Sequence, residues 1–300
     1  MSKPLIGAFP VLPTIFDSTG QIDEAGLKRV LDYVIHAGAA GIVFPGLASE
    51  YDCLTQEERL HLTAKIGEWN QGRVHFIVGA SSLTPEDSAR FALAGARAGA
   101  SAAMIMTPHA YAHDLTEMAA FYEQVGAQTS LPLMLQNAPA PMGIGLSLEH
   151  VASIVSEVPA ITYVKEEAAP SGQRISRLAE LTHGELSGIL GGAGGRYLID
   201  ELSRGAVGSM PACEITEIHA AIIKHFLAGE EKIARDLFER SLPLLNVQAN
   251  FRWRLTKEVL RRRGLIESTY TRAKGPSLDA YDLKEVDALL ARIKDLSGIS

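Results

Sequence analysis

The feature that most constrains the fold of this chain is a regular alternation of short apolar segments with longer amphipathic segments. Eight such pairs precede residue 228, and the apolar segments are often followed by Gly or Pro. They are residues 6–11, 41–45, 74–79, 102–106, 132–136, 161–165, 186–190 and 207–210. Segments of this kind are typical of parallel strands that are buried on both faces. Eight strand–helix units predict a (β/α)8 TIM barrel. The alternative is an open doubly wound sheet, which is disfavoured because no Gly-x-Gly-x-x-Gly follows the first segment.

The amphipathic segments have the periodicity and the ends of helices. They are residues 23–37, 55–69, 84–98, 115–129, 147–156, 171–182, 196–202 and 215–227. Thr84 is followed by a proline and two acids, which is typical of a helix N-terminus, and Ser147 has a similar capping position. Beyond residue 228 only helices are indicated, at residues 231–245, 250–263 and 283–296. We therefore predict a catalytic barrel over residues 1–228 and a C-terminal helical region over residues 229–300 that packs on it.

Charge and cysteine content narrow the class of protein. The net charge of −7 over 300 residues argues against a nucleic-acid partner and against binding to a membrane surface through basic residues. The two cysteines, Cys53 and Cys213, are too few for a disulfide framework or a zinc site, which fits a reducing, cytoplasmic setting. The first residues lack the apolar region of a signal peptide, and no segment is long and apolar enough for a transmembrane helix. We expect a cytoplasmic protein whose ligand is a small molecule.

The sixth predicted strand carries the residues best suited to covalent chemistry. Its alternation places Lys165 and Glu167 on one face, toward the C-terminal mouth of the barrel, and Glu166 on the other. Partial burial of Lys165 there would lower its pKa and make its amine nucleophilic; the alternative is a lysine held in an ion pair. Burial would also raise the pKa of Glu167, which suits a general acid–base, although this carboxylate could instead only hold Lys165.

A loop after the second predicted strand supplies candidate substrate contacts. Backbone amides at Ala48 and Ser49, together with the Ser49 hydroxyl, can hold the carboxylate of a keto acid. The alternative for Ser49 is a capping or turn position. We expect Glu50 to brace the loop by hydrogen bonds. Tyr51 is predicted to supply a polar contact at the mouth, unless it only packs against its neighbours.

Further candidates follow the fourth and seventh predicted strands. Tyr111 or His109 can supply a polar contact at the mouth or lie in an interface. The glycine-rich residues 191–195, which include Gly192, allow the backbone to approach a small substrate closely, and a phosphate site at a helix N-terminus is the alternative. His219 and His225 lack a partner at metal-ligand spacing, so we predict no metal.

Several motifs together resemble one family over essentially the full chain. They begin with Gly7-Ala-Phe-Pro-Val-Leu-Pro-Thr and continue through Gly46-Leu-Ala-Ser-Glu, Asn137-Ala-Pro, Val164-Lys-Glu and Gly205-Ala-Val-Gly-Ser-Met. With these motifs the chain resembles the dihydrodipicolinate synthase / N-acetylneuraminate lyase family of class I aldolases. The resemblance implies that Lys165 forms a Schiff base with a 2-keto acid, that no cofactor beyond this covalent imine is used, and that the protein is a homotetramer.

The sequence also departs from the motifs of the aldolases in that family. Gln136 stands where they usually have a tyrosine, and we predict that it contacts the substrate. Leu47 and Ala48 replace the two threonines, Ala110 replaces a second tyrosine, and Ala140-Pro-Met-Gly lacks the synthase's arginine. The resemblance thus implies neither an authentic dihydrodipicolinate synthase nor a typical sialic acid lyase.

Two other motifs are similar to the keto-deoxy-arabonate dehydratases of the same family. These are the Lys-x-Glu pattern at Lys165 and the Ser-Glu-aromatic pattern at Ser49. We therefore expect a lyase that acts on pyruvate or a 2-keto-3-deoxy sugar acid, most readily a dehydratase. A pyruvate-dependent aldolase, a deaminase of a cyclic imino acid and an inactive binding protein are the alternatives. The missing tyrosine at Ala110 implies that Tyr111 or His109 reaches a neighbouring subunit, or that the sites are independent.

Overall fold

Eight short parallel strands form the centre of the computed structural model, which describes residues 4–296. They are β1 Gly7–Ala8, β2 Gly41–Phe44, β3 His75–Gly79, β4 Ala102–Met106, β5 Leu133–Asn137, β6 Ile161–Glu166, β7 Gly188–Gly191 and β8 Gly208–Ser209. From β2 to β8 each strand pairs with the next along the chain, and β1 pairs with β8. A bridge between Val11 and Val43 closes the remaining gap between the first two strands. The predicted (β/α)8 TIM barrel is confirmed and the open sheet is excluded.

Eight helices connect these strands and surround the barrel. They are α1 Glu24–His36, α2 Gln56–Asn70, α3 Pro85–Arg97, α4 Leu115–Gly126, α5 Leu148–Glu157, α6 Ser171–Leu181, α7 Leu198–Ser203 and α8 Thr216–Leu227. Thr84 caps α3 by accepting a hydrogen bond from the Asp87 amide, and Ser147 caps α5 through the His150 amide. Each cap satisfies a backbone donor that the first helical turn leaves free. Both predicted helix starts are confirmed.

Apolar side chains pack on both sides of the strands. Inside the barrel, Phe9, Val43, Met104, Met134 and Leu190 belong to one buried cluster. Outside it, a larger cluster joins the strands to the surrounding helices. Burial on both faces explains why the strands are apolar throughout instead of alternating between apolar and polar residues. Polar residues at the ends of these strands are exceptions to this apolar pattern, and they are therefore candidates for a functional site.

Three further helices form the C-terminal region, namely α9 Glu231–Phe251, α10 Trp253–Arg262 and α11 Ala280–Arg292. They share a buried apolar cluster with α7 and α8, which confirms the predicted packing on the barrel. The division of the chain into a catalytic barrel over residues 1–228 and a helical region over residues 229–300 stays a prediction. Among the helices of residues 4–296, none combines the length and apolarity needed to cross a bilayer.

Several helix boundaries in this region differ from the prediction, chiefly the end of α9 and the start of α11. Helix α9 runs on to Phe251, because no glycine or proline interrupts residues 246–251, and the break before α10 falls at Arg252. Arg252 has a φ of 51°, a backbone conformation that glycine usually adopts. Because an arginine stands there, no signal in the sequence marks a helix break at this position. Helix α11 begins earlier than predicted because the carboxylate of Asp279 caps it.

Candidate active site

Lys165 lies near the C-terminal end of β6, between Gln136 of β5 and Leu190 of β7. Only 3% of the residue is exposed, yet it lines a cavity of about 250 Å³ at this end of the barrel. Its Nζ atom is 3.1 Å from Oε1 of Glu167, which lines the same cavity. The strand alternation expected from the sequence has therefore brought these two side chains together inside the mouth.

Three donors hold the Glu167 carboxylate. Besides Lys165, the side-chain amide of Gln136 donates to Oε2 at 2.7 Å, and the backbone amide of Ala193 donates to Oε1 at 3.2 Å. Burial pushes the pKa of Glu167 upward, but the charge of Lys165 and these hydrogen bonds together lower it below its usual value. The predicted rise in pKa was therefore wrong for the unliganded site. Glu167 rests as a carboxylate, ready to accept a proton.

The glycine-rich segment after β7 closes against Glu167. A Cβ atom at Gly192 would lie 2.4 Å from Oε1 of Glu167, so only glycine lets the backbone pass this closely. The Ala193 amide already donates a hydrogen bond to Glu167, so this amide is not available to bind a phosphate. The expected close backbone approach is present, with Glu167 as the neighbour. Contact between Gly192 and a substrate stays a prediction.

Glu166 points away from the cavity, as the alternation predicts. It is fully buried, and its carboxylate binds Arg174, the side-chain amide of Asn137 and the backbone amide of Ala168. Burial dominates over these partners and raises the pKa of Glu166. The two adjacent glutamates therefore differ in surroundings, and only Glu167 faces the cavity.

The loop after β2 forms a single helical turn at Leu47–Ser49, and Leu47 and Ala48 line the cavity. The Ser49 hydroxyl is buried, donates to the Leu12 carbonyl at 2.5 Å and accepts from the Gly46 amide at 2.8 Å. These bonds favour the turn role of Ser49 over a substrate contact through its hydroxyl. The predicted role of the Ser49 amide was wrong, because this amide donates to the Gly46 carbonyl at 2.9 Å. Within residues 4–296, no hydrogen bond occupies the amides of Leu47 and Ala48, which leaves them free to bind an anion.

Glu50 braces this loop, as expected. Its carboxylate is fully buried, and it accepts a hydrogen bond from Nζ of Lys257 at 2.5 Å and another from the Ala273 amide at 2.7 Å. Lys257 belongs to α10, so the pair joins the loop after β2 to the C-terminal region. A buried ion pair of this kind fixes relative position more than it adds stability.

Neither tyrosine singled out from the sequence reaches the cavity in this chain. The Tyr51 ring lies under the guanidinium of Arg59, 5.4 Å from its centroid, and Tyr111 packs on Phe121 with ring centroids 5.4 Å apart. His109 is exposed. Both rings sit in loops whose direction no periodicity fixes, which is why the sequence could not settle their orientation.

Four polar or aromatic side chains that the sequence analysis did not single out line the cavity. They are Arg196, Gln248, Arg252 and Trp253. Arg196 directly follows the glycine-rich segment, so the rule that functional residues follow barrel strands could have found it. The other three come from the junction of α9 and α10, which that rule does not cover. The C-terminal region therefore forms part of the cavity wall.

His219 and His225, the two histidines considered as metal ligands, lie on α8 and do not line the cavity. His219 is buried behind Gly195, and His225 binds the Glu230 carboxylate. Within residues 4–296, no three His, Cys, Asp or Glu side chains converge as ligands of a metal ion would. The absence of a metal from the chemistry stays a prediction.

Comparison with known proteins places this geometry in context. A sequence model of the dihydrodipicolinate synthetase family matches residues 4–293. L-2-keto-3-deoxyarabonate dehydratase of Azospirillum brasilense is 30% identical over 297 residues, which cover 97% of this chain and 95% of the relative. 4-Hydroxy-tetrahydrodipicolinate synthase of Methanothrix thermoacetophila is 28% identical and covers 97% and 98% of the two chains. The crystal structure of dihydrodipicolinate synthase from Rhodopseudomonas palustris superposes with a TM-score of 0.87 at 27% identity, over 96% of this chain and 97% of that one.

Proposed function

The chain belongs to the dihydrodipicolinate synthetase family, and on that premise we propose that it dehydrates a 2-keto-3-deoxy sugar acid held as an imine on Lys165. The observation that carries the proposal is the composition of the cavity wall. Glu167 is the only carboxylate among the described residues that line it, and no Tyr, Ser, Thr or His side chain lies there within residues 4–296. One carboxylate beside one lysine suffices for a dehydration. The name of the 30% identical relative supports the same reaction class.

Imine formation uses Lys165 and its neighbour. Glu167, 3.1 Å away, can accept a proton from the Lys165 ammonium, and the free amine then attacks C2 of the keto acid. Loss of the C2 oxygen as water leaves a cationic imine in place of the ammonium. The unoccupied amides of Leu47 and Ala48 would receive the substrate's carboxylate.

The elimination then needs one group that can both take and return a proton. The imine acidifies C3, and Glu167 removes a C3 proton as its bonding pair moves into the enamine. The enamine pair then forms the C3–C4 double bond while the C4 hydroxyl departs, and Glu167 returns the proton so that water leaves. Hydrolysis of the imine restores Lys165 and consumes the water released at its formation, so the net reaction loses one water.

Product analysis tests the reaction class. Incubation with a panel of 2-keto-3-deoxy sugar acids, followed by mass spectrometry, should reveal a product that has lost one water. Cleavage to pyruvate and an aldehyde would instead identify a pyruvate-dependent aldolase, and release of ammonia from a cyclic imino acid would identify a deaminase. An intact chain that turns over no keto acid, and gains no mass from pyruvate under borohydride, would be a binding protein.

We expect Gln136→Leu to shift the acid limb of the pH profile upward. The Gln136 amide stabilises the charged form of Glu167, so its removal raises the pKa of that carboxylate. A base with a raised pKa is protonated at higher pH, and kcat/KM should therefore begin to fall at a higher pH than in the wild type. Asn137→Ala is the matched control, because it removes the same kind of donor from Glu166. An unmoved limb in Gln136→Leu would show that Glu167 is not the titrating base.

Assembly as a homotetramer is also part of the proposal. Leu227, Ile233 and Tyr281 are large apolar residues of α8, α9 and α11 that lie exposed in the single chain, and symmetric association is the usual way to cover such residues. Light scattering at micromolar concentration should give four times the mass of one chain; the mass of a single chain would contradict the proposal.

If Tyr111→Phe changes neither mass nor activity, Tyr111 does not act across an interface.

A further inference from the structure

The charges of the cavity wall do not balance. Lys165, Arg196 and Arg252 are three cations on the wall, whereas Glu167 is its single carboxylate among the described residues. The wall therefore carries an excess of two positive charges. Conversion of Lys165 to a protonated imine leaves this excess unchanged. The carboxylate of a simple keto acid neutralises only one of the two charges, which leaves one half-buried arginine of the wall without a counter-charge.

Among the described residues, neither Arg196 nor Arg252 has a carboxylate partner within ion-pair distance. In the C-terminal region most arginines form ion pairs, namely Arg235, Arg240, Arg261, Arg262, Arg263 and Arg272. Within residues 4–296, neither Arg196 nor Arg252 does so. Glu167 and Asp52 act on Arg252 only from beyond ion-pair distance. Arg196 is held by the side-chain oxygen of Gln248 at 3.4 Å, which is a neutral partner, and the Glu201 carboxyl acts on Arg196 only from beyond ion-pair distance.

Arg252 is held in place at a backbone cost. Its φ of 51° lies in a region of backbone conformation that side chains disfavour. This conformation ends α9 and turns the chain so that both Arg252 and Trp253 face the cavity. The guanidinium lies 4.6 Å from the centroid of the Trp253 ring and contacts the sulfur of Met142. Such a strained position persists only when its surroundings support it, and it is typical of functional sites.

We propose that the substrate carries a second carboxylate at the end remote from its keto group, and that Arg252 and Arg196 bind it. The substrate class is then a 2-keto-3-deoxy diacid instead of a 2-keto-3-deoxy acid that ends in a hydroxymethyl group. A carboxylate fits the planar donors of a guanidinium and supplies the one remaining negative charge. A phosphate ester carries nearly two negative charges, so together with the carboxylate next to the keto group it would exceed the two positive charges of the wall. This inference rests on the proposed imine at Lys165.

The test compares two keto acids of equal length as imine-forming ligands under borohydride. The probes are 2-oxoadipate, which ends in a carboxylate, and 2-oxohexanoate, which ends in a methyl group. In the wild type, 2-oxoadipate should half-saturate trapping at a concentration roughly 10- to 100-fold lower, the usual effect of a hydrogen-bonded charge. Arg252→Gln should bring the ratio of the two half-saturating concentrations close to one, and Arg252→Lys should restore part of it.

Arg254→Gln is the matched control. Arg254 also lacks an ion pair within the described residues, but it donates to the Ala273 carbonyl and does not line the cavity, so its variant should keep the wild-type ratio. Equal half-saturation of the wild type by both acids would overturn the inference, as would an unchanged ratio in Arg252→Gln. If the wild type is trapped with neither acid, the proposed imine itself is overturned. This outcome differs from equal trapping by both acids, so failure of the imine and failure of the diacid inference are distinguishable.

Discussion

Replacing Lys165 with alanine should abolish turnover and the mass gained from pyruvate under borohydride. Borohydride reduces only an imine, and Lys165 is the one lysine on the cavity wall among the described residues. Without its amine the C3 protons of the substrate are never acidified, so no residual path to elimination exists on this wall. We expect activity at the level of the uncatalysed reaction, measured by product formation and by the mass of the intact chain.

The same substitution changes the state of Glu167. Burial still raises the pKa of this carboxylate, while the largest opposing influence, the charge of Lys165, is gone. The folded-state pKa of Glu167 therefore rises in Lys165→Ala. A folded-state pKa that is higher than in the wild type removes stability, relative to the wild type, as pH increases through the range in which this carboxyl ionises. Denaturant unfolding at several pH values should show Lys165→Ala losing more stability toward neutral pH than the wild type.

Two control variants separate the amine from the charge. Lys165→Arg keeps a cation beside Glu167 but cannot form the imine, so it should retain stability and lose trapping. Lys257→Met removes another fully buried lysine, paired with Glu50, that does not line the cavity; molecules that fold should still be trapped. Turnover by Lys165→Arg at the wild-type rate would rule out the Schiff-base mechanism.

The features that the sequence did predict are those that depend on a regular repeat of apolar and polar residues along the chain. Eight strands recur at regular intervals, and their residues lie where the apolar segments indicated. A period of two along β6 correctly assigned Lys165 and Glu167 to the cavity and Glu166 to the opposite face. These predictions succeeded because strand geometry alone determines them, once the strand is recognised.

What escaped prediction depends on contacts between distant segments. The hydroxyl of Ser49 turned inward to bind the Leu12 carbonyl, a choice that no local pattern encodes. Arg252 reached the cavity because a long helix breaks there without a glycine. The pKa of Glu167 is the net result of burial, which raises it, and of the Lys165 charge and the Gln136 and Ala193 donors, which lower it; only the folded chain brings those two donors to the carboxylate.

Glu167→Gln should still form the imine with pyruvate but should lower the rate of product formation by roughly 10²- to 10⁴-fold, the usual contribution of a general acid–base. Glutamine preserves the size of the side chain and removes only its ability to exchange a proton. Its single amide oxygen can accept from either Gln136 or Ala193 but not from both, so we also expect a modest loss of stability. Single-turnover measurements of trapping and product release separate the two steps.

Glu166→Gln is the matched control for this variant. It alters the neighbouring glutamate, which is buried against Arg174 on the other face of β6, and it should reduce stability without reducing proton transfer. A Glu167→Gln enzyme that forms no imine would mean that Glu167 serves Lys165 and not the substrate.

Deuterium exchange isolates the first proton transfer of Glu167. Pyruvate bound as an imine loses methyl protons to whichever base forms the enamine, so wild-type enzyme in D2O should exchange these protons with solvent. Glu167→Gln should slow that exchange by about the same factor as product formation, and Lys165→Arg should abolish it. Wild-type exchange in Glu167→Gln, together with slow dehydration, would assign removal of the C3 proton to another group and leave Glu167 only the protonation of the departing hydroxyl.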